Sequence, residues 1–198
     1  MGRTGRRSRG GAVGVLLLAA TALAGLTGVA GQAGRAGGDA STTSRSAGPA
    51  SGPVVVDHVV DGDTLNVRAG GRVERVRTVQ IDAPESSSTR FGRPDACGRP
   101  STLYAETLTR PGATVWLEFS GRDRTDRYGR LLALVHLDRR DGPTWQERMV
   151  RAGWAEVFVY RGNTTWLLSR LKSDQAYAKA HRRGVYARCG GRFHDSGG

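Results

Sequence analysis

The chain has 198 residues with 30 Lys and Arg against 18 Asp and Glu, a formal net charge of +12. That length holds one domain with extensions, and the basic excess, nearly all arginine, suits bidentate contact with a polyanion. Two cysteines far apart and four scattered histidines without ligand spacing argue against a metal site built on Cys or His.

The N-terminus reads as an export signal, residues 1–30. Arg3, Arg6, Arg7 and Arg9 precede an apolar run over 12–26, and Gly28-Val29-Ala30 offers small residues for cleavage. No cysteine adjoins the apolar run, which argues against a lipoprotein anchor. The expected location is secreted; a membrane anchor formed by the uncleaved signal is the alternative. Residues 31–52, rich in Gly, Ala, Ser and Thr, read as a flexible linker.

The folded domain is expected over 53–189. Residues 53–60 form a first strand, and Asp61-Gly62 turns the chain into a second over 64–68. Ala69-Gly70-Gly71 is a hairpin turn leading to a third strand over 72–81. Strict pleating would put Arg77 on the apolar side of Val79 and Ile81, so it lies at a rim or a bulge re-aims it. The polar segment 86–98 reads as a mobile loop. A helix starts near Pro100 and ends before Pro111; strands follow over 113–119 and 130–137. A second helix opens at Pro143-Thr144 and runs to Arg151, 154–160 is short and extended, and a third helix spans 164–183, stopped by Gly184. The tail from Gly190 to 198 is expected to be disordered. Five short strands and three helices in this order predict an α+β fold, a five-stranded antiparallel OB-fold barrel with three flanking helices. Cys97 and Cys189 suggest one disulfide in an exported protein, with two free thiols as the alternative.

Three segments carry chemistry. Asp61-Gly62-Asp63-Thr64 is an acidic turn between strands. Arg77 lies five residues before Asp82-Ala83-Pro84-Glu85, where Pro84 stiffens a corner bearing two carboxylates. Arg124-Thr125-Asp126-Arg127-Tyr128-Gly129-Arg130 precedes an apolar strand. Carboxylates at neighbouring strand ends can hold a hard cation with oxygen ligands. A further carboxylate can take a proton from water, and two guanidiniums can clamp the charge that develops on phosphorus.

These three segments together resemble the staphylococcal nuclease family over residues 55–186. The resemblance implies Ca²⁺ held by Asp63, Asp82 and the Ala83 carbonyl, catalytic roles for Arg77, Glu85 and Arg130, and a phosphate grip by Arg127 and Tyr128. Phe158 stands where the family's type enzyme has a base-stacking tyrosine, and with Tyr160 it is expected to contact substrate. The implied activity is hydrolysis of DNA and RNA to 3′-phosphate ends by a monomer. A non-catalytic OB-type module that binds nucleic acid or another polyanion is the alternative. Tyr186 in place of a tryptophan, the cysteine pair and the 86–99 loop depart from the type enzyme.

Overall fold

A computed structural model of the chain describes residues 50–87 and 92–195. The export signal and nearly all of the linker expected from sequence lie outside these residues. Among the described residues no helix is long and apolar enough to cross a membrane.

Five strands close into a barrel: β1 (Ala50–Val59), β2 (Thr64–Ala69), β3 (Arg72–Thr78), β5 (Thr114–Glu118) and β6 (Leu131–Leu137), in the order β1-β2-β3-β6-β5. Alternation sets the inward faces. Val54 and Val56, Leu65 and Val67, and Val115 and Leu117 are buried, whereas Val55 is exposed. Gly70 and Gly71 both have positive φ and make the tight link between β2 and β3. β6 is buried on both faces from Ala133 to Leu137, because helix α2 (Trp145–Arg151) covers its outer side.

The expected barrel is present, with one correction. It is not wholly antiparallel: β3 and β6 pair in parallel, Val76 with Leu131 and Arg77 with Leu132. Because more than fifty residues of strand, loop and helix separate the two, β6 can approach β3 from either direction. The first strand also begins earlier than expected, at Ala50 inside the supposed linker, and Pro53 pairs with Trp116 at its edge.

Outside the barrel, β4 (Ile81–Asp82) pairs with β7 (Glu156–Val157). Helix α1 is Gly98–Leu108, and α3 is Leu168–Ala180, shorter than the expected 164–183. Thr165 accepts the Leu167 N–H, and the last residues before Gly184 leave helical geometry. α2 starts at a capping box in which Thr144 and Glu147 satisfy each other's backbone N–H groups. A short α4 (Val185–Arg188) follows and ends at Cys189.

Cys97 and Cys189 form a disulfide with Cα atoms 6.3 Å apart. Residues 190–195, expected to be disordered, are packed instead. Phe193 is buried beside the disulfide with its ring edge-on to Tyr186 at 5.4 Å. One buried aromatic next to a covalent crosslink is enough to order so short a segment.

Candidate active site

The acidic turn is shaped by local bonds. The Asp63 N–H donates to Asp61 Oδ1 at 3.1 Å, and the Val60 and Asp61 N–H groups reach the Thr64 carbonyl at 2.9 and 3.1 Å. A Cβ at Gly62 would collide with Ser101 and Ala83, so the turn packs this closely only with glycine there. The fully buried Trp145 donates Nε1–H to the Gly62 carbonyl at 3.0 Å and ties the turn to α2.

The corner after β3 settles where Arg77 points. Gln80 has φ +66, so the chain breaks its pleat there and Ile81–Asp82 leaves the barrel to pair with β7. Buried Gln146 ties the bend to β6, donating to the Val79 carbonyl at 3.5 Å and to the Ala133 carbonyl at 3.0 Å. With the alternation interrupted, Arg77 is free of the apolar side and sits at the rim.

Arg77 joins the two acidic segments. Its Nη1 is 2.6 Å from Asp63 Oδ2, its Nη2 donates to Asp82 Oδ1 at 2.6 Å, and Nη1 also donates to the Ile81 carbonyl at 3.0 Å. Asp63 further accepts the Thr64 hydroxyl at 2.9 Å and the Ala83 N–H at 2.9 Å. The two carboxylates therefore converge on one guanidinium.

Burial pushes the Asp63 carboxyl well above the usual carboxylate range, and the Arg77 charge works against that. At Asp82 burial is outweighed by the hydrogen bond from His194 and by the Arg77 charge, so its pKa is lowered. Glu85 is half-buried. Burial first, then the Asp61 charge, raise its pKa above the ordinary glutamate range. Its carboxylate has no hydrogen-bond or ion-pair partner among the described residues.

Arg130 reaches the site from the other side of the β3–β6 seam. Asp126 takes its Nε–H at 2.7 Å and its backbone N–H at 3.0 Å, which fixes the side chain and leaves the two terminal nitrogens unpaired among the described residues. Arg77 and Arg130 line one cleft of about 320 Å³, together with Arg127, Tyr128, Phe158 and Tyr160. Arg127 donates to the Tyr128 hydroxyl at 2.6 Å and lies 4.8 Å from its ring centroid. Tyr128, Phe158 and Tyr160 are all exposed at the rim. Asp63, Asp82, Ala83 and Glu85 do not line this cleft; Asp63 and Asp82 meet it through Arg77, whose charge also acts on Glu85.

Sequence reading missed several groups. Asp61 acts electrostatically on Asp63 and Glu85, Glu156 pairs with Asp82 across β4 and β7, and Asp95 and His194 complete the acidic side. His194 Nε2 is 3.0 Å from Asp82 Oδ2 and its Nδ1 is 3.0 Å from Asp95 Oδ2. The hydrogen bond to Asp82, then the charges of both acids, raise the His194 pKa to about 9 against the cost of burial. Only Cys189, five residues before His194, hinted that the tail could return to the site.

The donor set suits a hard divalent cation. Both cysteines are consumed in the disulfide, so oxygen predominates. A carboxylate offers about four lone-pair positions, and the donors on Asp63 and Asp82 leave some of them open. Among the described residues no group of three or more His, Cys, Asp or Glu side chains is arranged to hold a metal ion.

A family model described as "Staphylococcal nuclease homologue" matches residues 75–188. "SPbeta prophage-derived endonuclease YokF" of Bacillus subtilis is 35% identical over 144 residues, covering 69% of this chain and 45% of that protein. "Endonuclease YncB" of Bacillus subtilis is 32% identical over 144 residues, covering 69% of this chain and 63% of that protein. The match thus spans less than two thirds of either Bacillus relative. An "Uncharacterized endonuclease" of Escherichia coli O157:H7 is 36% identical over 132 residues, covering 67% of this chain and 75% of that protein. With a barrel, an acidic corner and a paired-arginine cleft in this arrangement, the chain belongs to the staphylococcal nuclease homologue family.

Proposed function

We propose that the chain is a secreted, Ca²⁺-dependent nuclease that hydrolyses phosphodiester bonds of DNA and RNA and leaves 3′-phosphate ends. One observation carries the reading: Arg77 is held at 2.6 Å by each of two converging carboxylates while lining the same cleft as Arg130.

Asp63, Asp82 and the Ala83 carbonyl would hold Ca²⁺, which supplies Lewis-acid polarisation of the scissile phosphate. Arg77 and Arg130 bind the phosphate from two strand ends and stabilise the negative charge that grows on its equatorial oxygens. Asp126 keeps Arg130 in place for this. Glu85, with its pKa raised and its carboxylate unpaired, takes the proton from the attacking water. The water oxygen bonds to phosphorus, the P–O5′ bond breaks, and the departing oxygen takes up a proton. Arg127 and Tyr128 hold a neighbouring phosphate, and the exposed rings of Phe158 and Tyr160 offer faces for base stacking. The disulfide supports export, because such bonds persist in oxidising compartments.

The test is incubation of the purified protein with single-stranded DNA and with RNA, in Ca²⁺ or a chelator, with identification of the product ends. Cleavage to 3′-phosphates that stops on chelation is expected. Hydrolysis that survives chelation would remove the metal role, and binding without cleavage would favour the non-catalytic module. Fractionation of culture medium against cells tests secretion.

A further inference from the structure

The C-terminal segment reaches the acidic side of the site. Asp95, 5% exposed, is its junction. Asp95 and Glu85 exchange two bonds: the Glu85 N–H donates to Asp95 Oδ2 at 2.8 Å, and the Asp95 N–H donates to the Glu85 carbonyl at 3.0 Å. The same carboxylate takes the Asp195 N–H on Oδ1 at 2.9 Å and meets His194 Nδ1 on Oδ2 at 3.0 Å. The opposite ring nitrogen of His194 holds the Asp82 oxygen that Arg77 does not touch. Asp82 is thus gripped from both sides, and Glu85 hangs on the group that anchors one of the grips.

The anchor is covalent at its base. Gly98, next to Cys97, packs so closely on the Glu85 carbonyl that a Cβ there would collide with it, and its N–H donates to the Asp95 carbonyl at 2.9 Å. Cys189 is bonded to Cys97 and lies five residues before His194. Five residues span at most about 17 Å, so the disulfide keeps His194 within short reach of Asp95. Without it, the buried Phe193, the bonds of His194 and Asp195 to the two carboxylates, and a few backbone bonds hold the segment.

We propose that His194 and Asp95 are positioning residues, bracing Asp82 and the Glu85 backbone, and that the Cys97–Cys189 disulfide keeps this brace assembled. Divalent-cation binding and cleavage are then properties of the oxidised chain. This rests on Asp82 as a cation ligand and Glu85 as the base. It gives the disulfide a use beyond stability: a chain that still carries free thiols has a loosened site.

The oxidised protein is compared with His194→Ala, His194→Gln and a truncation after Phe193, which keeps both cysteines and the buried ring. Ca²⁺ binding is read by calorimetry without nucleic acid, and the Glu85 amide by hydrogen exchange in chelator. Loss of a hydrogen-bond partner of a ligating carboxylate costs about 10- to 100-fold in metal affinity, and that is the fall expected for His194→Ala and for the truncation. Their melting temperatures in chelator should stay near that of the parent, and exchange at Glu85 should quicken. His194→Gln should recover part of the affinity, since its amide nitrogen can donate in place of Nε2. Thiol reduction of the parent, read below its melting point, should reproduce the fall and add little to His194→Ala. Parental or tighter Ca²⁺ binding in His194→Ala, or unchanged affinity on reduction, overturns the proposal. If the oxidised parent binds no Ca²⁺ and cuts nothing, the proposed function fails, while exchange at Glu85 still tests the brace.

Discussion

Replacing Arg77 with methionine should damage the fold and the chemistry separately. The side chain keeps its bulk but loses the charge that two carboxylates share at 2.6 Å each. The Arg77 and Asp63 side chains are 16% and 5% exposed, so little water can replace the lost partner. Removing one member of a buried ion pair costs about 3–5 kcal/mol, which in a domain of this size lowers the melting temperature by roughly 10–20 °C. Asp63 would retain the Thr64 hydroxyl and Ala83 N–H, which places the cost toward the lower end. Adding Asp63→Asn removes the stranded charge, and the double variant should regain more than half of the lost stability. Turnover should fall roughly 100- to 1,000-fold in Arg77→Met and should not return in the double variant. Urea denaturation with the two single changes and their combination completes the cycle. Additive losses in the double variant, or parental stability in Arg77→Met, would refute a shared buried charge at this corner.

Other consequences are open to direct measurement. Glu85→Gln should lower turnover by about 100-fold or more while binding of a non-cleavable oligonucleotide persists, because the Glu85 backbone bonds to Asp95 remain; unchanged turnover would rule out Glu85 as the base. Phe158→Ala removes an exposed ring face at the cleft and should raise KM by an amount equivalent to about 1–3 kcal/mol of base stacking, with kcat largely kept; an effect on kcat alone would contradict a stacking role. The buried Glu118–His136 pair, bonded at 2.8 Å, should make stability depend on pH. Burial opposes both charges, yet the hydrogen bond between them lowers Glu118 below 4.5 and raises His136 above 6.5. Glu118's contribution is present above 4.5 and lost as pH falls through its lower folded value; His136's is complete below 6.5 and lost as pH rises through its higher folded value. The stability difference between the parent and Glu118→Gln should therefore be greater at pH 5.5 than at pH 9, and an equal difference at both would refute the coupling. Changing Cys97 and Cys189 to serine opens a loop closed over a separation of 92 residues, and the loss by equilibrium unfolding should approach about 4–5 kcal/mol; a change below ~1 kcal/mol would mean that the crosslink does little to the unfolded chain.

The turns that carry the candidate site were legible because they are short and local. Asp61 to Thr64 and Asp82 to Glu85 each announce a turn through Gly or Pro, and each holds its carboxylates within a few residues. Helix α2 was equally plain, since Thr144 and Glu147 have the spacing of a capping box. The direction of Arg77 was not legible. The bend that frees it is made at Gln80, a residue with no marked liking for positive φ, and Gln146, 66 positions later, supports that bend. Nor was the parallel pairing of β3 with β6, because strand patterning reports which face is buried and not which way a neighbour runs. His194 was least visible: it meets Asp82 across 112 residues, with no periodicity or spacing to announce it.

The parallel seam has a consequence for when the arginine pair comes together. Arg77 stands opposite Leu132, with Arg130 just before that strand, so the two halves of the proposed phosphate clamp are made far apart in time during synthesis. No fragment ending before Arg130 contains both. On the proposed nuclease reading, a polypeptide still emerging from the ribosome lacks the complete clamp, and the capacity to cut arrives together with barrel closure.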